Sequence, residues 1–167
     1  MNKIEKNSLD KLLQIIEPIP MQTITHFSCG GMDMIHMLRD FSFKLDYEYR
    51  LNCTNAELYD KVKNLEHAVV KNFPIARPNY LIQGKFSDYL FVTIYIEDEE
   101  KEMFLKKAHR SIKNAGLILL FVQKDSLEQI DLWNRLLEEN NFVATSSIDL
   151  FEHYDIIISK KMHGWGG

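Results

Sequence analysis

The chain has 167 residues, of which 46% are hydrophobic and 26% charged, and its formal net charge is −4. This length and hydrophobic content predict one domain, residues 1–167, and the acidic balance argues against bulk nucleic-acid binding. Two cysteines are too few for a disulfide framework, and no apolar signal core or membrane-length apolar run is present, so we expect a soluble, cytoplasmic protein with no membrane association.

The first twenty residues predict a helix that covers the core. Ser8 is a candidate N-cap, and Pro18 ends the pattern. Four apolar side chains recur at helical spacing between them and predict the buried stripe: Leu9, Leu12, Leu13 and Ile16.

Strands and helices then alternate through the first half. Gly30 and Gly31 predict a tight turn from a strand into a helix. Thr54 and Glu57 have the spacing of a capping box, which opens another helix. The predicted elements are strands over 23–27, 46–52 and 67–71, and helices over 34–41 and from Thr54 onward.

The stretch from 72 to 85 is the least regular part of the chain. It contains Pro74, Pro78 and Gly84, and proline cannot donate to a sheet ladder. We therefore expect a loop that crosses the binding edge and offers one surface for a protein partner or a second copy.

The second half gives the clearest pattern. Near-continuous apolar runs predict strands over 88–96 and 117–122, central and buried on both faces. Helices are predicted from 98 to 114 and, behind a capping box at Ser126 and Gln129, up to Asn140. The alternating segment 154–160 closes the chain as a strand. This order predicts a parallel sheet that ends in a hairpin, with any ligand at the carboxyl ends of the strands.

Three stretches resemble the Rossmann-like, class I S-adenosylmethionine-dependent methyltransferases: ITHFSCGGM at 24–32, the helix, turn and strand at 104–120, and Asn141-Phe142 with YDIIISK at 154–160. The resemblance covers nearly the whole chain from Thr23 and is best in the second half. It implies a three-layer α-β-α sandwich with a mostly parallel sheet of about seven strands and an antiparallel last strand. It also implies S-adenosylmethionine as cofactor.

The resemblance places the methionine part of the cofactor on the loop after the first strand. Three positions depart from the family pattern: His26 stands where an acid is expected, Ser28 replaces the first glycine, and Met32 replaces the third. A methionine side chain there would crowd the backbone approach that glycine permits. The cofactor contacts implied in this loop are His26, Ser28, Cys29, Gly30 and Gly31.

Two further cofactor contacts are implied, at the ends of the second and fourth strands: Asn52 and Thr93. Asn52 stands where the family has an acid that accepts hydrogen bonds from both ribose hydroxyls, and an amide has only one accepting oxygen. The loss of one acceptor costs about 1–3 kcal/mol, so we expect a dissociation constant no tighter than about 10 μM. On this interpretation Asn52→Asp should tighten binding.

The segment that leaves the fourth strand carries the candidate catalytic residues. Tyr95, Glu97 and Asp98 follow it directly, where the fold would hold the methyl acceptor. The two acids can bind an acceptor amine or act as a general base. The alternative is that the acids open the next helix and complement its dipole, with Tyr95 packing on a covering helix.

Other site chemistry is less consistent with the sequence. His26, Cys29 and His36 are zinc-ligand types, but their spacing matches no standard pairing, and we expect no metal. Cys29 with His26 as base would be a nucleophile pair, although a tight turn explains both residues. Gly30 and Gly31 before a helix could bind phosphate, without the Lys-Ser/Thr pair of a phosphate-binding loop.

Two functions follow from these patterns. The first is a methyltransferase that acts on a small molecule or a local motif. The second is a non-catalytic subunit or interaction module of the same fold, which would use the 72–85 loop or the tail 161–167. Trp165 in that tail is expected to pack on the protein's own surface, with partner docking or homo-oligomer formation as the alternative.

Overall fold

A seven-stranded sheet with helices on both faces forms the centre of the molecule. The computed structural model describes residues 4–81 and 84–162. Its helices are α1 (Lys6–Leu13), α2 (Met32–Lys44), α3 (Ala56–Val62), α4 (Asp98–Ser111) and α5 (Leu127–Glu139). Its strands are β1 (Thr23–Ser28), β2 (Glu48–Cys53), β3 (Val69–Asn72), β4 (Ser87–Val92), β5 (Ile112–Gln123), β6 (Phe142–Ile148) and β7 (Tyr154–Lys161).

The strand order is β3-β2-β1-β4-β5-β7-β6. Strands β1 to β5 pair in parallel, and β7 pairs antiparallel with both β5 and β6. The predicted α/β class, the mostly parallel sheet and the antiparallel closing strand are confirmed. So is the central position of β4 and β5, whose apolar runs are buried on both faces.

The two faces of the sheet bury separate clusters of side chains. Ile24 and Leu51 lie on the first face, in the cluster that α1, α2 and α3 cover. Phe27 and Leu90 lie on the second face, in the cluster that α4 and α5 cover. Successive strand residues point to opposite faces, so each strand contributes to both clusters.

The predicted bounds of β4 and β5 were wrong at one end each. β4 ends at Val92 rather than at 96, and α4 ends at Ser111, so that β5 begins five residues earlier than predicted. The segment read as a helix end is the start of β5: Ala115 has a φ of 65°, and the pairing register with β4 shifts there. A positive φ next to glycine is typical of a helix end and of a bulge alike.

Three predicted caps differ from the observed ones. Ser8 lies inside α1, and Asn55 rather than Thr54 caps α3, its side chain accepting from the backbone N–H three residues on. Ser126 makes no side-chain cap bond at the start of α5. Gln129 instead bonds to side chains of α4. At Gln129, tertiary contacts with α4 replace the local capping bond.

The segment between β3 and β4 forms no helix in its described residues, as predicted for the 72–85 loop. It crosses the second face, where Phe73 and Tyr80 pack on Phe27 and Phe104. We call these four residues the aromatic cluster. The helices of the described part are all too short or too polar to cross a bilayer. The predicted packing of Trp165 lies outside the described residues.

Candidate functional site

A cavity of about 390 Å³ opens at the carboxyl ends of the parallel strands. We call it the edge cavity. It lies where the topology of an open α/β sheet places ligands. Residues from the loop after β1, from β4, β5 and β7, and from α4 and α5 meet there. Its lining includes Cys29, Thr93, Tyr95, Lys101, Trp133 and Tyr154.

The loop between β1 and α2 is closed by its own serine. The Ser28 hydroxyl donates to the Gly30 carbonyl at 2.5 Å and accepts from the Gly30 N–H at 3.2 Å. Gly31, the N-cap residue of α2, adopts left-handed geometry, with φ 80° and ψ 62°. A Cβ added at Gly30 would meet no atom within 4 Å. The backbone at Gly30 is therefore open to a ligand.

Hydrogen bonds from the turn between β2 and α3 also hold this loop. The Thr54 N–H donates to the Ser28 carbonyl at 2.9 Å, and the Asn55 side chain donates to the Cys29 carbonyl at 3.0 Å. Cys29 is exposed at the edge cavity. Met32, which we expected to crowd this loop, is the first residue of α2 and is 37% exposed.

His26 is fully buried beneath the loop and uses both ring nitrogens. Its Nδ1 lies 2.9 Å from the Tyr49 hydroxyl, and its Nε2 lies 2.8 Å from the Thr93 hydroxyl. The Thr93 hydroxyl donates to the Phe27 carbonyl, so the Nε2–H tautomer satisfies every group. Burial lowers the pKa of His26 to about 3 and raises the pKa of Tyr49 well above its usual range. This neutral network reaches the edge cavity only through Thr93.

Asn52 faces a different part of the molecule from the edge cavity. Asn52, Phe27 and Val92 are registered across three adjacent strands on the second face. The Phe27 ring contacts the other three rings of the aromatic cluster, with centroid distances of 5.5 Å to Phe73, 5.1 Å to Tyr80 and 5.6 Å to Phe104. Phe27, and with it the cluster, lies between Asn52 on β2 and Val92 on β4. Val92 lines the edge cavity, and Asn52 does not. Asn52 therefore does not share that cavity with Cys29 and Thr93.

Tyr95, Glu97 and Asp98 lie where β4 leads into α4. Tyr95 is 70% exposed and lines the edge cavity, so it does not pack on a helix. The charge of Glu97 raises the pKa of the Tyr95 phenol. Hydrogen bonds from Lys101 and then Gln129 lower the pKa of Asp98. Asp98 is thus an ionised, already bonded carboxylate and a weak candidate for a base.

No protein-family model matches the sequence, and no curated protein matches it significantly. Solved structures do match its fold. An S-adenosylmethionine-dependent O-methyltransferase from Thermotoga maritima has a TM-score of 0.73 at 13% identity, over 100% of this chain and 69% of that one. A methyltransferase from Pyrococcus furiosus has a TM-score of 0.67 at 12% identity, over 98% and 87%. The chain has the class I methyltransferase fold.

A human protein with this fold was solved in complex with S-adenosylmethionine. Human N-acetylserotonin methyltransferase, in complex with S-adenosylmethionine, has a TM-score of 0.68 at 13% identity, over 95% of this chain and 52% of that one. The predicted resemblance to the class I methyltransferases is therefore confirmed for the architecture.

Within this methyltransferase fold, the cavity wall contains residues that the sequence did not reveal as site residues. Lys101 is 1% exposed; its ammonium bonds to Asp98 and Gln129 and lies 5.2 Å from the Trp133 ring centroid. The i, i+3 spacing of Asp98 and Lys101 was a visible signal. The roles of Gln129 and Trp133 depend on how α4 and α5 pack, which local sequence does not specify.

The geometry does not favour the nucleophile pair or the metal site considered from the sequence. His26 is occupied by Tyr49 and Thr93 and is not paired with Cys29. The other cysteine, Cys53, is buried, and burial raises the pKa of its thiol to about 11. This disfavours the thiolate form that a nucleophile or a metal ligand requires. Within residues 4–81 and 84–162, no three His, Cys, Asp or Glu side chains are grouped to hold a metal ion.

Proposed function

We propose that this protein binds S-adenosylmethionine on the loop after β1 and methylates a small molecule held in the edge cavity. The observation that carries the proposal is the position of that cavity. It adjoins the loop at Cys29, beside the open backbone of Gly30, at the carboxyl ends of β1 and β4. Ligands of open α/β sheets bind at this edge.

The residues present fit the methionine part of the cofactor. Cys29, Gly30 and Gly31 would hold it along the open side of the loop, and Thr93 would contact it from the end of β4. When bound, the cofactor supplies an electrophilic methyl group on a sulfonium centre. The buried network of His26 keeps the Thr93 hydroxyl in one orientation, because that hydroxyl donates to the Phe27 carbonyl.

The residues after β4 would orient the acceptor. Methyl transfer needs in-line placement of the acceptor atom, and a base only where that atom carries a proton. The Tyr95 phenol is protonated at neutral pH, as an ordinary tyrosine is, and the charge of Glu97 raises its pKa further, so it would donate a hydrogen bond to the acceptor. Glu97 would accept the acceptor's proton, and Asp98 would fix the position of Lys101 in the cavity wall.

The cavity lining favours a small, partly apolar acceptor. Apolar side chains in its lining include Val92, Ile94, Leu120 and Trp133, beside polar ones such as Thr93 and Gln129. Its volume of about 390 Å³ lies within the range of small-molecule sites. A side chain from a flexible segment of another protein would also enter, which is the local-motif form of the same proposal.

Calorimetric titration with S-adenosylmethionine and S-adenosylhomocysteine tests the cofactor site. We expect dissociation constants of about 10 μM or weaker. Gly30→Val should weaken both by at least about tenfold, because its side chain enters the space where the cofactor approaches the backbone. Gly30→Ala is the matched control and should have a smaller effect. Equal affinity in Gly30→Val would contradict this placement of the cofactor.

A non-catalytic subunit or interaction module is the second candidate function. The separation of Asn52 from the edge cavity by the aromatic cluster favours it, because no acceptor for the ribose hydroxyls then remains at that position. Its contacts would come from the 72–85 loop or the tail. The absence of heat and thermal shift at millimolar S-adenosylmethionine would support this second candidate and exclude the first.

A further inference from the structure

A second, smaller cavity of about 90 Å³ lies on the second face of the sheet. We call it the face cavity. It is bordered by residues of β1, β2 and β3 and by Tyr80 and Lys85. The described residues between β3 and β4 form no helix, so in the described part of the chain no helix from this connection covers the cavity.

The side chain of Asn52 lines this cavity without a partner. Asn52 is only 6% exposed, and its amide makes no hydrogen bond to any group in the described part of the chain. Buried side-chain amides are normally bonded, since desolvation without a replacement bond is unfavourable. The amide of Asn52 is therefore available to bond to a group in the cavity.

Cations dominate the charge around the cavity. Arg50, Lys71 and Lys85 line it together with one carboxylate, Glu48. Arg50 Nε bonds to Glu48 at 2.7 Å, and Lys85 Nζ lies 3.8 Å from the same carboxylate. Lys71 makes no ion pair with any described residue. Glu48 pairs with Arg50 and Lys85 and also interacts with the charge of Lys71, so three positive charges in the lining face one negative charge.

The three donors are close to one another. Lys71 on β3 is registered directly opposite Asn52 on β2, and adjacent strands lie about 4.8 Å apart. Arg50 precedes Asn52 by two residues on the same face, about 6.6 Å along the strand. Hydroxyls of Thr25 and Ser87, 2.6 Å apart, add to the polar lining.

We infer that the face cavity binds a phosphate-type oxyanion, either free phosphate or the phosphate group of a small phosphorylated molecule. Asn52 and Lys71 donate to its oxygens, and the guanidinium of Arg50 approaches from the neighbouring position. A volume of about 90 Å³ has room for one tetrahedral oxyanion. This site is separate from the edge cavity and does not depend on methyl transfer.

Phosphorus NMR and calorimetric titrations of the full chain with inorganic phosphate and with glycerol 3-phosphate test the site. Asn52→Asp places a negative charge among the donors at nearly constant volume and should weaken binding at least about tenfold. Lys71→Gln, a half-buried change on an edge strand, should also weaken it. Added NaCl should lower the affinity. Tighter binding of the ester would identify a phosphorylated small molecule as the ligand.

Asn72→Asp is the matched control, because it makes the same charge change one residue beyond Lys71 and outside the cavity lining. It should retain nearly full affinity. Thermal melts of each variant verify folding. Three results would each overturn the inference: no binding at about 50 mM phosphate, which would mean that water alone occupies the cavity; acetate binding as tight as phosphate; or full affinity in both Asn52→Asp and Lys71→Gln.

Discussion

His26 shows how one residue can replace the acid expected at the end of β1. An acid at that position would present a charge, whereas His26 is neutral and is satisfied by Tyr49 and Thr93. Its two ring nitrogens link the Tyr49 hydroxyl on β2 to the Thr93 hydroxyl after β4. A buried polar network of this kind is valuable only while every member remains bonded.

The buried imidazole predicts a pH dependence of stability. The pKa of His26 is about 3 in the folded chain and 6.5 when unperturbed. Between these two pH values the unfolded chain binds a proton at His26 that the folded chain excludes. The contribution of neutral His26 to the free energy of unfolding is therefore fully present above about pH 6.5 and is lost as the pH falls towards 3. Near pH 5 the loss approaches about 1.4 kcal/mol per pH unit. Urea unfolding at pH 5, 6 and 7 measures it.

His26→Gln removes the titrating group and should make stability less dependent on pH in this range, as well as lowering it at pH 7. His109 is the matched comparison: burial first, and Lys161 second, lower its pKa. Because His109 is only partly buried, His109→Gln should reduce the pH dependence less than His26→Gln does. An equal or larger reduction in His109→Gln would mean that His26 is not the main proton-excluding residue.

At the scale of elements, the start of β5 depends on a single glycine. A Cβ at Gly116 would lie 2.6 Å from the Ile112 side chain and 2.9 Å from the Asp88 carbonyl. Gly116→Ala should therefore destabilise the protein by about 1–3 kcal/mol, the usual cost of overpacking. The melting temperature should fall by several degrees, as measured by calorimetry or circular dichroism.

Gly30→Ala provides the contrast for this prediction. It adds the same methyl group at a glycine that has no atom within 4 Å of the new Cβ. Its melting temperature should change little. If Gly116→Ala were as stable as Gly30→Ala, the backbone of β5 would have to be free to move away from Asp88.

The element order was predictable from the sequence because it rests on hydrophobic periodicity. The apolar runs of β4 and β5 and the alternation in β7 identify buried strands without knowledge of the fold. The bounds were less predictable, since they rest on competing partners. Ala115 and Gly116 resemble a helix end, and Gln129 resembles a capping residue. In the folded protein Gly116 instead packs in β5 against the Asp88 carbonyl, and Gln129 instead bonds to Lys101 of α4. Local sequence does not specify either contact.

The candidate site was predictable only as a location. Sequence resemblance selected the loop at Cys29 and Gly30 and the segment at Tyr95, and both border the edge cavity. The direction of each side chain depends on strand register, and one residue of register changes the face. For this reason neither the bonding of His26 to Thr93 nor the position of Asn52 behind the aromatic cluster could be read from the sequence.

For the whole molecule, the aromatic cluster joins the 73–86 segment to the sheet and to α4. Tyr80 is central to it, since its ring contacts three others and its hydroxyl donates to the Ile75 carbonyl at 2.7 Å. Tyr80→Ala should destabilise the protein by about 3–5 kcal/mol, as other buried aromatic truncations do. Tyr80→Phe should cost only about 1 kcal/mol, the value of the hydrogen bond. Denaturant unfolding measures the free energy of unfolding of each variant and so distinguishes the loss of the ring from the loss of the hydroxyl.

Tyr95→Ala is the control for this aromatic truncation, because Tyr95 is 70% exposed. Its stability should remain within about 0.5 kcal/mol of the parent protein. If Tyr80→Ala behaved like Tyr95→Ala, the 73–86 segment would not be held to the sheet by the aromatic cluster.

The order in which the strands are synthesised differs from their order in the sheet. β1 lies between β2 and β4, and His26 meets Thr93 across 67 residues of chain. At about 5–20 residues per second, a ribosome needs roughly 3–13 s to supply that second partner. During that interval the nascent chain carries an open strand edge and an imidazole without its threonine. The centre of the sheet can close only after β4 has emerged, so folding of this chain depends on contacts that form late.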